Sequence, residues 1–238
     1  MTPTGAILDH VLGVRAPLIR GLIITTVALT ALHLLAVTTS PVWHAEGVGI
    51  FSTMGWWFHL DGEQSLGTWF AVVQLVLAAT IAALLALQMR SQNQPWRGWG
   101  AIAFLLVMMS IDEQIGVHEN FGVIADEFGL PTAGLWFVPA LALASIVGVA
   151  LVPFTINLPA RTRRGLLAAC ALFLTGSVGF EALWTFSPYL NQDPNTSLWL
   201  SGLLQMGEET LELLAVTVTI GTLLDHTSVI SRAKGEDR

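Results

Sequence analysis

Two short acidic stretches lie inside apolar runs of this chain, and their side chains are the ones best suited to chemistry. Residues 110–119 close one apolar run, and residues 208–212 interrupt another near the C-terminus. A charged side chain at membrane depth costs several kcal/mol, so such residues mark a candidate functional site. The ionisable residues of the two stretches are Asp112, Glu113, His118, Glu119, Glu208, Glu209 and Glu212.

Carboxylates that lie together away from water have three ways to remain stable. They can take up protons, which crowding and desolvation both favour. They can accept hydrogen bonds from neutral donors such as His118, His59 or Ser110, or they can bind a cation whose charge replaces that of a missing Lys or Arg. Acids on at least three predicted helices at similar depth favour the cation. A structural network of protonated carboxylates is the alternative.

The composition indicates that these stretches belong to a membrane protein. The chain has 238 residues, of which 53% are hydrophobic and only 11% are charged, whereas a soluble domain carries about 25% charged residues. A net charge of -7 argues against a nucleic-acid partner and leaves membrane lipids as the expected surroundings. The single cysteine, Cys170, excludes a disulfide within the chain and is expected to be a small buried hydrophobe.

Six apolar runs are each near the ~20 residues that a membrane span requires. They must be helices, because an isolated strand cannot satisfy its backbone in lipid. The sequence therefore predicts an all-α fold, a bundle of six transmembrane helices that forms one domain over residues 1–238. The predicted spans are residues 19–39, 67–89, 99–119, 134–155, 165–186 and 199–224.

The placement of basic residues predicts the orientation of this bundle. With six spans, all ten fall in the N-terminus, the second and fourth connections or the C-terminal tail, which share one side of the membrane. The positive-inside rule makes that side the cytoplasm, so we expect both termini inside and an integral protein of the plasma membrane. The tryptophans are expected to form interfacial belts, with Trp96 and Trp99 at the inner interface.

Acidic residues show the opposite distribution. Thirteen of the seventeen fall in the outer half of the predicted bundle, where no Lys or Arg is available to pair with them: Glu46, Asp61, Glu63, Asp112, Glu113, Glu119, Asp126, Glu127, Glu181, Asp193, Glu208, Glu209 and Glu212. This charge imbalance is the main reason to expect a bound cation.

Residue spacing predicts that several of these acids converge. Gln205, Glu208 or Glu209, and Glu212 recur every three or four residues, which forms one stripe on the last helix. On the third predicted helix, Asp112, Gly116 and Glu119 share a face. The predicted metal ligands are Asp112, Glu113, His118, Glu119, Glu181, Glu208, Glu209, Glu212, Glu63 and His59.

The ligand chemistry restricts the metal but does not name it. Mostly oxygen ligands with one or two imidazoles suit Zn, Fe or Mn if His118 or His59 binds, and Mg or Ca if neither does. The number of carboxylates could support two ions. His33, alone in the first predicted span, is expected to be a hydrogen-bonded interior histidine rather than a ligand.

Two classes of function fit this pattern. The first is a metal-dependent membrane enzyme acting on a lipid-like or hydrophobic substrate, with Glu113 or Glu209 as proton acceptor and His118 as ligand or acid. The second is a transporter of a metal cation, or of a solute coupled to protons, that uses the same acids. Small residues such as Gly176 and Gly179 permit close helix contacts, within one chain or between two.

Overall fold

The computed structural model describes residues 12–45, 55–62, 64–117, 120, 127, 129, 137–186 and 194–236, with side chains outside 40–45, 137–140, 194–198 and 229–236. These residues form helices and turns, and no strand occurs among them, which confirms the all-α prediction. The long helices are α1 (Arg15–Ala45), α2 (Leu66–Ser91), α3 (Arg97–Ile115), α4 (Phe137–Ile156), α5 (Ala160–Phe186) and α6 (Pro194–Glu236).

Four of these helices, α1, α2, α3 and α5, are long and apolar enough to cross a membrane. The described apolar part of α4, Leu141–Ile156, is shorter. The apolar sequence of α6 is interrupted by Glu208, Glu209 and Glu212. The apolar helices indicate a multi-pass membrane protein, as the composition predicted, and a span number of six stays a prediction.

Helix α6 is the centre of the bundle, because it packs against α1, α2 and α5. Helix α2 packs against α6 on one side and α3 on the other. Small residues at i and i+4, Ala78 and Ala82, have no exposed surface, and they let the neighbouring helices approach α2 closely. Leu85 on α2 and Ile220 and Leu224 on α6 are also completely buried, and they belong to the same apolar core.

The two ends of the bundle differ in charge. At one end, which we call the basic end, α1, α3 and α5 begin and α2 ends, and Arg15 and Arg161 both pair with Asp225 of α6. At the other, the acidic end, α2 begins and α3 ends, with Asp112 and Glu113 in the last turn of α3. There, His33 of α1 bonds to Gly202 of α6. The separation of acids from bases that the sequence predicted is therefore seen along the described helices.

Two expectations about single side chains are wrong. Trp99 is only 2% exposed and lies against the rings of Phe154 and His226, so it is a core residue and not part of an interfacial belt. Cys170 is exposed rather than buried. Trp56, Trp57 and Trp69 are more than half exposed, as interfacial residues are expected to be.

Helix α3 is shorter than predicted. It ends at Ile115, because Gly116 adopts a left-handed conformation (φ 59°) and donates its N–H to the carbonyl oxygen of Asp112 at 2.8 Å. Glycine takes this conformation without steric cost, which is why it commonly terminates helices. The prediction of one helical face from Asp112 through Gly116 to Glu119 is therefore wrong, because the helix ends before Gly116.

Candidate functional site

A cavity of about 190 Å³ lies between α2, α3, α5 and α6 near the acidic end. We call it the acidic cavity. Its wall combines carboxylates with apolar side chains, among them Leu75, Met109 and Phe173. The acids that line it are Asp61, Asp112, Glu113, Glu208, Glu209 and Glu212. Acids from α3, α6 and the turn before α2 thus meet at one cavity, as the sequence predicted for most of them.

Helix α6 contributes three of these acids through its periodicity. Glu208 and Glu212 are one helical turn apart, and Glu209 lies beside Glu208, so all three reach the same side of the helix. Gln205, one turn earlier, donates a hydrogen bond from its amide to a carboxylate oxygen of Asp61. The predicted stripe on the last helix is therefore present, and Gln205 serves to hold Asp61 at the mouth of the cavity.

Helix α3 contributes Asp112 and Glu113 from its last turn. Both side chains are half-buried, and Met109, one turn earlier, lines the same cavity. Gly116 follows immediately and also touches the cavity. Because the helix stops there, the two acids project from a helix end rather than from the middle of a continuous span.

The wall that α5 supplies is a π-helical segment, Thr175–Phe180. A Cβ atom added to Gly176 would lie 2.9 Å from the backbone oxygen of Glu208 and 3.1 Å from Cγ of Glu212, so α5 and α6 approach this closely only because residue 176 has no side chain. Ser177 and Val178 line the cavity beside it. Short π-helical segments inside α-helices occur frequently at functional sites.

A buried histidine fixes the turn that carries Asp61. Nδ1 of His33 accepts the N–H of Leu60 at 2.8 Å, which leaves Nε2 as the protonated nitrogen that donates to the carbonyl oxygen of Gly202 at 2.9 Å. His33 has no exposed surface. It is the interior hydrogen-bonded histidine that the sequence predicted, and it joins α1, α6 and the turn before α2.

Replacing His33 with alanine is expected to destabilise the protein by about 2–4 kcal/mol, because the buried N–H of Leu60 and carbonyl of Gly202 both lose their partners. Thermal unfolding in detergent measures the effect. The carboxamide of Asn or Gln carries both an acceptor and a donor, so His33→Asn and His33→Gln should each restore part of the loss. An alanine variant as stable as the wild type would contradict this role.

Two predicted ligands lie outside the lining of the cavity. The ring of His59 lies 4.5 Å from that of His33 and stacks on Trp56. Burial, and after it the neighbouring His33, lowers the pKa of His59 to about 4, so its imidazole is neutral at pH 7. Glu181 accepts a hydrogen bond from Thr185 at 3.3 Å. His118, Glu119 and Glu63 lie outside the described residues.

The metal itself stays a prediction. Within the ranges that the structure describes, no three His, Cys, Asp or Glu side chains lie close enough together to hold one ion. The acids share a cavity, but their carboxylates are not arranged as a coordination shell. Binding a metal therefore requires changes of side-chain rotamer around the cavity.

Sequence reasoning missed two polar residues of the lining, Thr68 and Ser177. Thr68 belongs to the first turn of α2, where its N–H bonds to the side chain of Ser65 at 3.1 Å. A Ser three residues before a Thr, ahead of a long apolar run, is a helix-start pattern that could have located it. No pattern in the sequence points to Ser177, because the π-helical segment that presents it has no established sequence signature.

Comparison with known proteins identifies a family. The family described as "Domain of unknown function (DUF8692)" matches residues 21–227. This range runs from the second turn of α1 to the basic end of α6, and it includes every residue that lines the acidic cavity. Neither the curated proteins nor the solved structures contain a match.

Proposed function

The chain belongs to the DUF8692 family, and we propose that it is a metal-dependent membrane enzyme that acts on a lipid-like or hydrophobic substrate. One observation carries the proposal: three glutamates of α6 and two acids of α3 line a single cavity whose other walls are largely apolar. A site of this kind could hold a polar reacting group at the acids and the apolar part of a substrate beside it.

The acids account for the proposed metal. Glu212 interacts electrostatically with Glu113, Glu208 and Asp61, so several like charges act on one small volume. A divalent cation offsets this repulsion and takes carboxylate oxygens as ligands. Mg or Ca suits the acids alone, and Zn, Fe or Mn suits a site that also recruits His118 or His59. Two ions remain part of the proposal.

The residues can be assigned chemical roles within this proposal. A bound metal ion would acidify a coordinated water and polarise a substrate oxygen. Glu209 or Glu113 would accept the proton from that water, and His118 would act as a ligand or as the acid. The apolar wall at Met109 and Phe173 would exclude bulk water from the reacting group.

The side of the cavity nearest the basic end favours an enzyme over a channel or carrier. Leu75, Leu213 and Val216 line that side. Further toward the basic end, Ala82 and Ile220 are completely buried in the packed core. An ion that entered from the acidic end would meet closely packed apolar side chains, so inward release would need a large rearrangement of the helices.

A transporter of a metal cation, or of a solute coupled to protons, is the second candidate. The observation in its favour is the π-helical segment Thr175–Phe180, which faces the acids and could change its hydrogen bonding as the helices move. Helices interrupted next to a binding site are common in secondary transporters.

We also infer the placement of the chain in the membrane. Helices α4 and α6 are proposed to span it with the other four, so that the basic end faces the cytoplasm and both termini lie there. The acidic cavity then opens toward the outer leaflet of the plasma membrane.

Activity toward a lipid extract tests the enzyme proposal. Purified protein is incubated with membrane lipids in the presence of Mn²⁺, Zn²⁺ or Mg²⁺ or of a chelator, and the products are followed by mass spectrometry. We expect metal-dependent conversion of an amphiphilic species, lost in Glu209→Gln and retained in Glu127→Gln, whose exposed side chain does not line the cavity. If no lipid is converted, and metal ions instead enter proteoliposomes saturably in the wild type but not in Glu212→Gln, the transporter is favoured and the enzyme proposal is wrong.

A further inference from the structure

The basic end carries a large excess of positive charge. Among the side chains described there, the only acid is Asp225, which lies near the end of the described part of α6. The arginines of that end with described side chains are Arg15, Arg20, Arg90, Arg97, Arg161, Arg163 and Arg164. Of these arginines, only Arg15 and Arg161 pair with a carboxylate among the described side chains, and that carboxylate is Asp225.

Two of these arginines converge on the single carboxylate. Arg15 of α1 lies 2.5 Å from one oxygen of Asp225, and Arg161 of α5 lies 2.9 Å from the other. The side chain of Arg161 is 77% exposed, so most of its donors face outward. Nε of Arg15 is buried and has no hydrogen-bond acceptor among the described residues. Two guanidinium groups against one carboxylate leave a net positive charge at a fixed place.

The surrounding contacts hold this pair in position. Next to Arg161, Thr162 bonds to the ring of His226 at 3.1 Å, and both residues are buried. The His226 ring packs on Trp99 of α3, with 4.6 Å between the ring centroids. The arginines are therefore presented by a packed junction of α1, α3, α5 and α6, and little order has to be gained when a ligand binds.

We propose that Arg15 and Arg161 together bind the phosphate of an anionic phospholipid. Guanidinium groups donate pairs of hydrogen bonds that match the spacing of phosphate oxygens. The surroundings select a lipid rather than a soluble phosphate. Arg161 lies in the first turn of a helix that is apolar enough to cross the membrane, and exposed Leu167, less than two turns further along α5, belongs to the apolar surface along which acyl chains can lie.

Titration with short-chain lipids, followed by native mass spectrometry of the detergent-solubilised protein, tests this site. Phosphatidylglycerol should bind the wild type in preference to phosphatidylcholine, and Arg161→Gln should weaken that binding about fivefold. Arg161→Lys keeps the charge but loses the paired hydrogen bonds, so a smaller loss is expected. Arg20→Gln is the matched control, because it removes an exposed arginine of the same end that forms no ion pair with Asp225.

Each outcome bears on the proposal. A loss with Arg161→Gln and full binding with Arg20→Gln would support a defined phosphate site. Equal losses with both variants would overturn it in favour of diffuse attraction to an anionic surface. Competition by millimolar inorganic phosphate would overturn the choice of a lipid and leave a free phosphate as the ligand. None of these results depends on metal binding in the acidic cavity.

Discussion

Replacing Glu209 or Glu212 with glutamine is expected to weaken divalent-cation binding at least about 30-fold, the equivalent of about 2 kcal/mol. Both side chains line the acidic cavity, and glutamine keeps their size while removing one charge. Coulomb attraction between a carboxylate and a divalent ion a few ångströms away exceeds 2 kcal/mol even at an effective dielectric constant near 20. Equilibrium dialysis of the purified protein against Mn²⁺ measures the affinity.

Glu127→Gln is the control for this prediction. It makes the same chemical change in an exposed residue outside the cavity, so the affinity should not change. Thermal unfolding of each variant without metal shows whether the fold is intact. If Glu209→Gln and Glu212→Gln bind Mn²⁺ as tightly as the wild type, neither Glu209 nor Glu212 is a ligand. A wild type that binds no Mn²⁺ would remove the proposed metal enzyme and leave a network of protonated carboxylates.

Replacing Gly176 with alanine is expected to destabilise the protein by about 1–3 kcal/mol and to weaken metal binding as well. The new methyl group would lie 2.9 Å from the backbone oxygen of Glu208 and 3.1 Å from the side chain of Glu212, so α5 and α6 must separate where the acids lie. Thermal unfolding and Mn²⁺ dialysis of the same preparation measure the two effects.

Gly179→Ala provides a control within the same π-helical segment. The atoms nearest to its added Cβ are 3.8 Å and 3.9 Å away and belong to α5 itself, so no other helix has to move. We expect stability and affinity close to those of the wild type. If the two alanine variants behave alike, the close contact at Gly176 does not position Glu208 and Glu212, and the loss reflects the π-helical backbone alone.

Much of this arrangement could be predicted from the sequence, because it depends on helical periodicity and charge. Glu208 and Glu212 are one turn apart on any α-helix, so their common side followed from spacing alone. The apolar runs located the helices, and the positions of Arg15, Arg161 and Asp225 separated the basic end from the acidic end. His33 was also anticipated, since a lone polar ring among apolar residues needs partners.

The features that were missed depend on contacts between helices. Gly116 could continue a helix or end one, and the left-handed conformation that ends α3 is a property of the folded chain. Whether Trp99 lies at a membrane interface or in the core depends on Phe154 and His226, which are distant in sequence. The role of Gly176 likewise appears only when α6 is packed against it.

Anomalous X-ray scattering from crystals saturated with Mn²⁺ tests the central claim most directly, because it locates the ion without reference to activity. We predict a peak inside the acidic cavity, between Glu113 of α3 and Glu209 and Glu212 of α6, with those carboxylates turned toward it. A peak elsewhere on the protein, or no peak while the cavity acids remain apart at saturating Mn²⁺, would contradict the claim that these residues form a metal site.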